Sequence, residues 1–226
     1  MKTLLLLVLT IANLTAYSHT QTLNQLVYEI RNPQTDPVHF RKALKTIGEY
    51  LALQVREELP SQEVAIQTLL GVEAKHSLLH ETPVLVTILR AGLPLNAGVQ
   101  KVFPNAEVGF IAMSRNEETL IPKVDYIALP DLRNQTVIIV DTMLATGGSL
   151  LDAIKIVERC GPKKIFVIAA LAAVPGIERI TQYNPAVKIF AAAIDPILNE
   201  KGYIVPGLGD AGDRSYGKKC CLQDEK

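Results

Sequence analysis

Apolar residues recur at helical spacing in the first part of the chain. One stripe falls at positions i, i+3, i+4 and i+7 and consists of Leu23, Leu26, Val27 and Ile30. Asp36 and Pro37 are typical of an N-cap and a first helical residue, and a second stripe follows, formed by Phe40, Leu44, Ile47 and Leu51. The spacing therefore predicts two amphipathic helices, of which the first ends by Pro33.

The pattern changes in the stretch EVAIQTLLGVEAKHSLL, residues 63–79. Apolar positions alternate at Val64 and Ile66, and Gly71 stands where a tight turn would be needed. We therefore favour a β-hairpin over a third helix for this stretch. His76 and His80 have the spacing of metal ligands on a helix, but on a strand their rings would lie ~13 Å apart, too far to share an ion.

Five short apolar runs follow Pro83, namely VLVTIL, VGFIAM, TVIIVD, IFVIAAL and VKIFAAAI. Helical stretches separate several of them, and one such helix is predicted from Ser149 to Cys160, capped by Gly161. Continuous apolar runs are typical of strands covered on both faces, and alternation with helices indicates a parallel sheet. We expect one α/β domain over residues 1–226, with a central, mostly parallel sheet flanked by helices.

The first twenty residues, MKTLLLLVLTIANLTAYSHT, allow two interpretations. A basic residue, an apolar run and a small-x-small spacing are features of a secretory signal. The run from Leu4 to Ala12 is too short to span a membrane, and it also fits a strand in the core or a dimer contact. We favour the strand or the contact, because the chemistry predicted below uses an intracellular substrate.

Composition narrows the choice of partners. The chain has 23 basic and 23 acidic residues, so bulk charge favours neither nucleic acid nor an anionic membrane as a partner. Its three cysteines, Cys160, Cys220 and Cys221, include no CxxC pair, which argues against a zinc site or a disulfide framework. We predict no protein-bound metal site.

The stretch VIIVDTMLATGGSL, residues 137–150, carries the most chemistry. Asp141 is expected at the end of a buried strand, and ligands bind at that end of a parallel sheet. The following loop leads into a helix whose N-terminal amides favour an anion, and Gly147 and Gly148 allow close backbone approach. The pattern predicts a phosphate cradle beside a carboxylate that accepts hydrogen bonds from ribose; an ordinary glycine-rich turn is the alternative.

This loop resembles the phosphoribosyl pyrophosphate loop of the type I phosphoribosyltransferases. Three further motifs, ILRAGL (residues 88–93), RNEETL (115–120) and GYIVPGLGDAGD (202–213), extend the resemblance to the uracil phosphoribosyltransferase branch. The resemblance covers about residues 83–217, and the four motifs occur in the family's order. It implies the type I phosphoribosyltransferase fold with a small C-terminal base-binding region, and the conversion of uracil and phosphoribosyl pyrophosphate to UMP and pyrophosphate.

The resemblance also implies the site residues. Phosphoribosyl pyrophosphate is expected on Arg90, Arg115, Asp210 and the loop residues Asp141, Thr142, Met143, Leu144, Ala145, Thr146, Gly147, Gly148 and Ser149. Uracil is expected on Ile204, Gly209, Asp210 and Ala211. The catalytic set would be Asp141, Arg90, Arg115 and Asp210, with Mg²⁺ carried on phosphoribosyl pyrophosphate as the cofactor. Without the resemblance, Arg115 would be interpreted as a surface residue paired with Glu117 or Glu118.

One position departs from the family pattern. Thr142 stands where proline is more usual in the uracil branch, which leaves the role of Asp141 intact but bears on the geometry of the loop. The motif GLGDAG, residues 207–212, matches GxGxxG but lacks the helix, strand and acid that follow in a dinucleotide-binding fold.

Several properties remain as expectations from the resemblance. We predict a homodimer or higher homo-oligomer in the cytoplasm, with no nucleic-acid or membrane partner. Activation by a nucleotide such as GTP is left open by the sequence. The alternative of another class is a non-catalytic regulator that binds UMP or RNA through a retained nucleotide pocket.

Overall fold

The computed structural model describes residues 21–115 and 122–219, and it begins with the two predicted helices. These are α1 (Gln21–Arg31) and α2 (Pro37–Glu57). Asp36 caps α2, because its carboxylate accepts hydrogen bonds from the backbone amides of Val38 and His39 at 2.8 and 3.0 Å. The apolar stripe of α2 is buried. Both helices are thus confirmed, and the apolar N-terminal run lies outside the described residues.

A β-hairpin follows the helices, as predicted. It consists of β1 (Ser61–Gln67) and β2 (Glu73–Leu79), which pair antiparallel, and Gly71 takes a positive φ of 75° in the turn. His76 lies on β2 and His80 directly after it, so the helical spacing needed for a shared metal ion does not arise. Within the described part of the chain, no group of three or more potential metal-ligating residues lies together.

The centre of the fold is a six-stranded sheet in the order β5-β4-β3-β6-β7-β8. Its strands are β3 (Val84–Leu89), β4 (Val108–Arg115), β5 (Pro122–Ala128), β6 (Thr136–Leu144), β7 (Lys164–Ala173) and β8 (Lys188–Asp195). Every neighbouring pair is parallel except β4 and β5. The five predicted runs are all strands. The antiparallel edge strand β5 was missed, since PKVDYIA is a short, mixed segment that leaves several apolar side chains exposed.

Helices cover both faces of the sheet. One face packs against α1, α2 and α3 (Leu93–Val102), and the other packs against α4 (Gly148–Glu158) and α5 (Val174–Tyr183). Successive residues of β6 point to opposite faces of the sheet. Because both faces are covered by helices, the sequence of the strand is continuously apolar. Helices α2 and α3 cross very closely at two glycines: a Cβ on Gly98 would lie only 1.8 Å from the carbonyl oxygen of Lys45.

Two element boundaries differ from the sequence-based expectation. Helix α4 ends at Glu158, two residues before Cys160, and Gly161 follows with a φ of 70°. Strand β6 continues to Leu144, because its ladder with β7 runs on past Asp141, which pairs with Ala169. Asp141 therefore lies inside the strand and not at its end.

The C-terminal part of the chain folds over the carboxyl edge of the sheet. It comprises the short strands β9 (Ile197–Leu198) and β10 (Ile204–Val205), which pair antiparallel, and the one-and-a-half-turn helix α6 (Ala211–Tyr216). We call residues 202–217 the C-terminal segment. Among the described residues, no helix is long and apolar enough to cross a membrane.

Candidate active site

A cavity opens between β3 and β6, where the order in which the chain adds strands to the sheet reverses. The chain proceeds from β3 outward to β4, whereas from β6 it proceeds the other way to β7 and β8. Ligands bind at such a switch point in open α/β sheets. The last rung between the two strands joins Thr87 to Val140, so the edge of β6 is unpaired at Asp141. That residue is thereby presented to the cavity.

The cavity brings together most of the residues predicted from sequence. From the loop after β6, its lining includes Asp141, Met143, Leu144, Ala145, Thr146, Gly147, Gly148 and Ser149; from the C-terminal segment it includes Ile204, Gly209, Asp210 and Ala211. Residues 141–149 comprise the end of β6, the connection and the start of α4, and are here called the β6–α4 loop; they face the C-terminal segment across one space. Ala91, Leu150, Gly202, Tyr203 and Gly212 complete the lining.

The β6–α4 loop is shaped as an anion cradle. Gly147 precedes α4 with a φ of 77°, a conformation that residues with a side chain rarely adopt. A Cβ there would also lie 3.1 Å from the carbonyl oxygen of Gly176. The loop delivers the N-terminus of α4 into the cavity, where the first helical amides lack partners within the helix and carry partial positive charge. Thr146 adds a hydroxyl at the same end, which accepts a 3.4 Å hydrogen bond from the Gly148 amide.

Burial changes the acidity of Asp141. Removal of its carboxyl from water raises its pKa from 3.8 to about 6, and hydrogen bonds from the amides of Met143 and Thr142 oppose that increase. The group is ionised above this pKa, so at neutral pH it can accept hydrogen bonds from two hydroxyl groups of a sugar. Because no cation is among the causes of the shift, the folded protein holds this charge at a cost that a ligand with hydroxyl donors would reduce.

Thr142 has a different position from its loop neighbours. Its side chain is fully buried, and its hydroxyl donates a 2.6 Å hydrogen bond to the carbonyl oxygen of Ala91, in the turn between β3 and α3. Thr142 is absent from the cavity lining. Its hydroxyl therefore ties the β6–α4 loop to the turn that carries Arg90, a bond that a proline at this position would be unable to form.

A second cavity adjoins the first and shares its two acids. It is lined by Ile88, Leu89, Arg90, Ala91, Met113, Ser114, Asp141, Asp210, Gly212 and Lys219. Arg90 donates a 3.0 Å hydrogen bond to Asp213 and a 3.3 Å hydrogen bond to the carbonyl oxygen of Gly217, both through Nη2. Its side chain is 39% exposed, which leaves its other donors accessible to a ligand in the cavity.

The two remaining predicted side chains are placed differently. Arg115 ends β4, next to Ser114, and its side chain lies outside the described part of the structure, as do the residues of RNEETL that follow it. Asp210 is the N-cap of α6, and its Oδ1 accepts a 2.8 Å hydrogen bond from the amide of Asp213. Its Oδ2 has no hydrogen bond within the described residues and remains for a ligand.

Two partly buried arginines hold the C-terminal segment in place. Arg31 of α1 forms a bidentate ion pair with Asp195 at 2.7 and 2.8 Å and also bonds the carbonyl oxygen of Gly207. Asp195 in turn accepts a 2.9 Å hydrogen bond from the amide of Gly207. Arg214 reaches back to the carbonyl oxygens of Ile30, Asn32 and Leu208, and its guanidinium lies 4.2 Å from the ring centroid of Phe40.

Sequence reasoning missed several of these groups. Gly202 and Tyr203 were inside a quoted motif, so the signal was present but no role had been given to them. Lys219 lies beyond the motif, and the supporting pair of Arg31 and Asp195 is separated by 164 residues, which no local pattern reveals.

The switch-point cavity, the glycine-bearing anion loop and the C-terminal cover over it together define a type I phosphoribosyltransferase fold. The family model described as uracil phosphoribosyltransferase matches residues 17–218. A uracil phosphoribosyltransferase of Dictyoglomus turgidum is 42% identical over 192 residues, covering 84% of this chain and 93% of the relative. One from Bacillus pumilus is 38% identical over 209 residues, covering 92% of this chain and 100% of the relative.

Among solved structures, the AQ2163 protein from Aquifex aeolicus superposes with a TM-score of 0.83 at 38% identity, covering 90% of this chain and 97% of that one. The chain belongs to the uracil phosphoribosyltransferase family.

Proposed function

We propose that this protein transfers the 5-phosphoribosyl group from phosphoribosyl pyrophosphate to uracil and releases UMP and pyrophosphate. The observation that carries the proposal is the convergence of the β6–α4 loop and the C-terminal segment on one cavity. An anion cradle and a sugar-binding carboxylate thus lie opposite exposed backbone that can pair with a base. Membership of the family supports uracil as that base.

The proposed reaction needs positioning more than a nucleophile from the protein. As the bond from the anomeric carbon to pyrophosphate breaks, the ribose ring becomes positive and the leaving group becomes more negative. Loop amides and the guanidinium of Arg90 stabilise the phosphate oxygens, while Asp141 holds the ribose hydroxyls. A nitrogen of uracil, held on the opposite side of the ring, then forms the new bond to the anomeric carbon and releases its proton to solvent.

The C-terminal segment suits recognition of uracil by the main chain. Uracil presents alternating carbonyl acceptors and N–H donors along its edge. Gly209 lines the cavity with a φ of 85°, and an added Cβ there would lie 3.9 Å from Cδ of Arg214, so no side chain of its own stands between its peptide groups and a ligand. Main-chain amides and carbonyls at fixed spacing discriminate such a base through paired hydrogen bonds.

A magnesium ion fits this site as a companion of the substrate. Mg²⁺ is commonly held by one or two carboxylates together with substrate phosphates and water. Asp210 lines the cavity that also contains Arg90, and its Oδ2, which accepts no hydrogen bond from the described residues, is the group we propose to hold the ion. When bound, Mg²⁺ would neutralise charge on the pyrophosphate. A titration of Mg²⁺ in the activity assay, with an Asp210→Asn variant that retains the α6 cap, tests this assignment.

The activity test compares bases. Pyrophosphate release is measured with purified protein, Mg²⁺ and phosphoribosyl pyrophosphate, with uracil, orotate, hypoxanthine, adenine or no base. Release that depends on uracil, with UMP as the product, is expected. Release with another base alone would contradict uracil as the substrate. Binding of UMP without release with any base would instead support the non-catalytic regulator.

We also propose that the protein works as a cytoplasmic homodimer. Uracil and phosphoribosyl pyrophosphate are intracellular compounds, which supports the location. The tip of the β1–β2 hairpin exposes Leu69, Leu70 and Val72, apolar side chains of the kind that a subunit contact covers. Light scattering should give twice the monomer mass, and a Leu69→Ser/Leu70→Ser variant should shift it to the monomer. A monomeric wild type at assay concentration would contradict the dimer.

A further inference from the structure

Lys219 lines the second cavity together with Arg90, Asp141 and Asp210. It lies two residues after α6 and its cap, outside every motif used to assign the site. Lys219 and its neighbour in sequence, Lys218, are both exposed, but Lys218 does not line the cavity. The two consecutive lysines therefore have different surroundings despite their identical chemistry.

The turn after α6 brings Lys219 to this position. Gly217 ends the helix with a φ of 85° and a ψ of 160°, a conformation that a residue with a side chain rarely adopts. Its amide bonds the carbonyl oxygen of Asp213 at 2.8 Å, and its own carbonyl accepts a hydrogen bond from Arg90. The turn after α6 is thus held against Arg90, and Lys219, two residues further on, lines the cavity.

The charged residues of the cavity lining show what Lys219 contributes. The ionisable members of the lining are two cations, Arg90 and Lys219, and two acids, Asp141 and Asp210. Arg90 already forms an ion pair with Asp213. Among the described residues of this lining, Lys219 is the one cation without an acidic partner. A pyrophosphate group carries several negative charges, so an unpaired cation in this lining would attract it and would add to the contact that Arg90 can make.

We propose that the Lys219 ammonium binds the pyrophosphate group of phosphoribosyl pyrophosphate and of the released product. This inference rests on the proposed function for the identity of the ligand. A lysine suits the position because its ammonium is a compact point charge on a flexible stem and can follow the phosphate as it leaves. Arg90 and Lys219 would thus supply two cations to the same pyrophosphate group, since both line this cavity.

The test measures binding of Mg²⁺-pyrophosphate directly by calorimetry, so it requires no turnover. The variants are Lys219→Ala and Lys219→Arg, and the matched control is Lys218→Ala, which removes the same charge one residue away. Lys219→Ala is expected to weaken binding about tenfold, as for the loss of one charge-assisted contact, whereas Lys219→Arg stays within about threefold of wild type. Lys218→Ala is expected to change the affinity less than about twofold.

Steady-state kinetics give a second measurement. Lys219→Ala should raise the KM for phosphoribosyl pyrophosphate about tenfold and leave the KM for uracil unchanged, because the contact lies on the pyrophosphate side alone. Equal effects of Lys218→Ala and Lys219→Ala would overturn the inference, since they would reflect the loss of positive charge near the cavity and not a direct contact. Absence of pyrophosphate binding by the wild type would overturn it as well.

These outcomes are separate from a failure of the proposed function. That failure would appear as absence of uracil-dependent pyrophosphate release by the wild type. The Lys219 inference fails instead when pyrophosphate affinity is the same in Lys219→Ala and Lys218→Ala, whatever base the enzyme accepts.

Discussion

The β6–α4 loop and the C-terminal segment form two sides of one cavity, but they are held in different ways. The loop is a local structure: nine consecutive residues, a left-handed glycine and the start of a helix produce its shape. The C-terminal segment has little regular structure of its own and is fixed by Arg31, Asp195 and Arg214, which join it to α1 and α2. The side proposed to bind phosphate is therefore formed by a short stretch of sequence, whereas the side proposed to bind the base depends on long-range contacts.

Among the variants, Asp195→Asn is expected to have the largest effect, and it should affect the C-terminal segment more than the β6–α4 loop. The Asp195 side chain is only 5% exposed, and it neutralises Arg31 while accepting from the Gly207 amide. Removal of its charge should lower the free energy of unfolding by about 2–4 kcal/mol, because Arg31 keeps a partly buried, uncompensated charge. Urea denaturation measures this change, and the KM for uracil should rise more than that for phosphoribosyl pyrophosphate.

Asp131 offers a matched control for Asp195→Asn. It also forms a bidentate pair, with Arg133 at 2.6 Å, but both side chains are exposed. Asp131→Asn should leave stability and kinetics without measurable change. A similar loss in both variants would show that the C-terminal segment does not depend on its buried pair.

Asp141→Asn should separate activity from stability on the loop side. We expect turnover to fall about hundredfold, since an amide is a weaker acceptor for ribose hydroxyls than a carboxylate. We expect the free energy of unfolding at pH 7 to rise by about 1–3 kcal/mol, because folding raises the pKa of this acid to about 6 and so disfavours its charge.

The pH dependence checks the cause of that stabilisation. The cost of holding Asp141 ionised is fully present above a pH of about 6, declines as pH falls from about 6 to 3.8, and is lost below 3.8, where the acid is protonated in both folded and unfolded states. Melts without Mg²⁺ or substrate should show the variant's advantage at pH 7.5 and a smaller one at pH 4.5. An advantage independent of pH would contradict burial of the charge as its cause.

Gly147→Ala tests whether the shape of the loop is local. Its φ of 77° disfavours alanine by about 1 kcal/mol, and the new Cβ would meet the Gly176 carbonyl. Displacement of the α4 N-terminus should raise the KM for phosphoribosyl pyrophosphate about tenfold. Gly161→Ala is the control, because Gly161 has a φ of 70° with open space around it and lies away from the cavity. It should cost similar stability with unchanged KM values.

The smallest effect is expected from Thr142→Val, which removes the bond between the loop and the Arg90 turn. Loss of the 2.6 Å hydrogen bond leaves the Ala91 carbonyl without this partner and should raise the KM for phosphoribosyl pyrophosphate about threefold to fivefold. Thr142→Ser keeps the hydroxyl and should restore the KM even if stability falls. A serine variant that behaves like valine would contradict a positioning role for the hydroxyl.

The sequence predicted those elements whose formation depends on residues close together in the chain. Helical spacing located α1 and α2, the capping pair Asp36 and Pro37 located the start of α2, and apolar runs located the parallel strands. Strand β5 was missed because an edge strand buries too little to show a strong pattern. The end of β6 was misplaced because a charged residue was taken as the end of the strand, although the ladder with β7 continues beyond it.

For the candidate site, the sequence predicted the two segments that line the cavity but not the contacts between their side chains. The glycine pair after Asp141 and the motif around Asp210 pointed to the two halves of the cavity, partly through resemblance. The direction of the Thr142 hydroxyl, the pairing of Arg90 with Asp213 and the position of Lys219 depend on how separate turns meet in space. None of these has a signature in the spacing of nearby residues.

The contacts of Arg31 and Arg214 also bear on the order in which the protein can be completed during synthesis. Arg214 donates a hydrogen bond to the carbonyl of Ile30, 184 residues earlier in the chain. Arg31 pairs with Asp195, which follows it by 164 residues. The first helices therefore leave the ribosome long before the groups that neutralise and cover their ends. The C-terminal segment is synthesised after the β6–α4 loop, so the nascent chain has the proposed phosphate-binding side of the cavity before the side proposed to select a base.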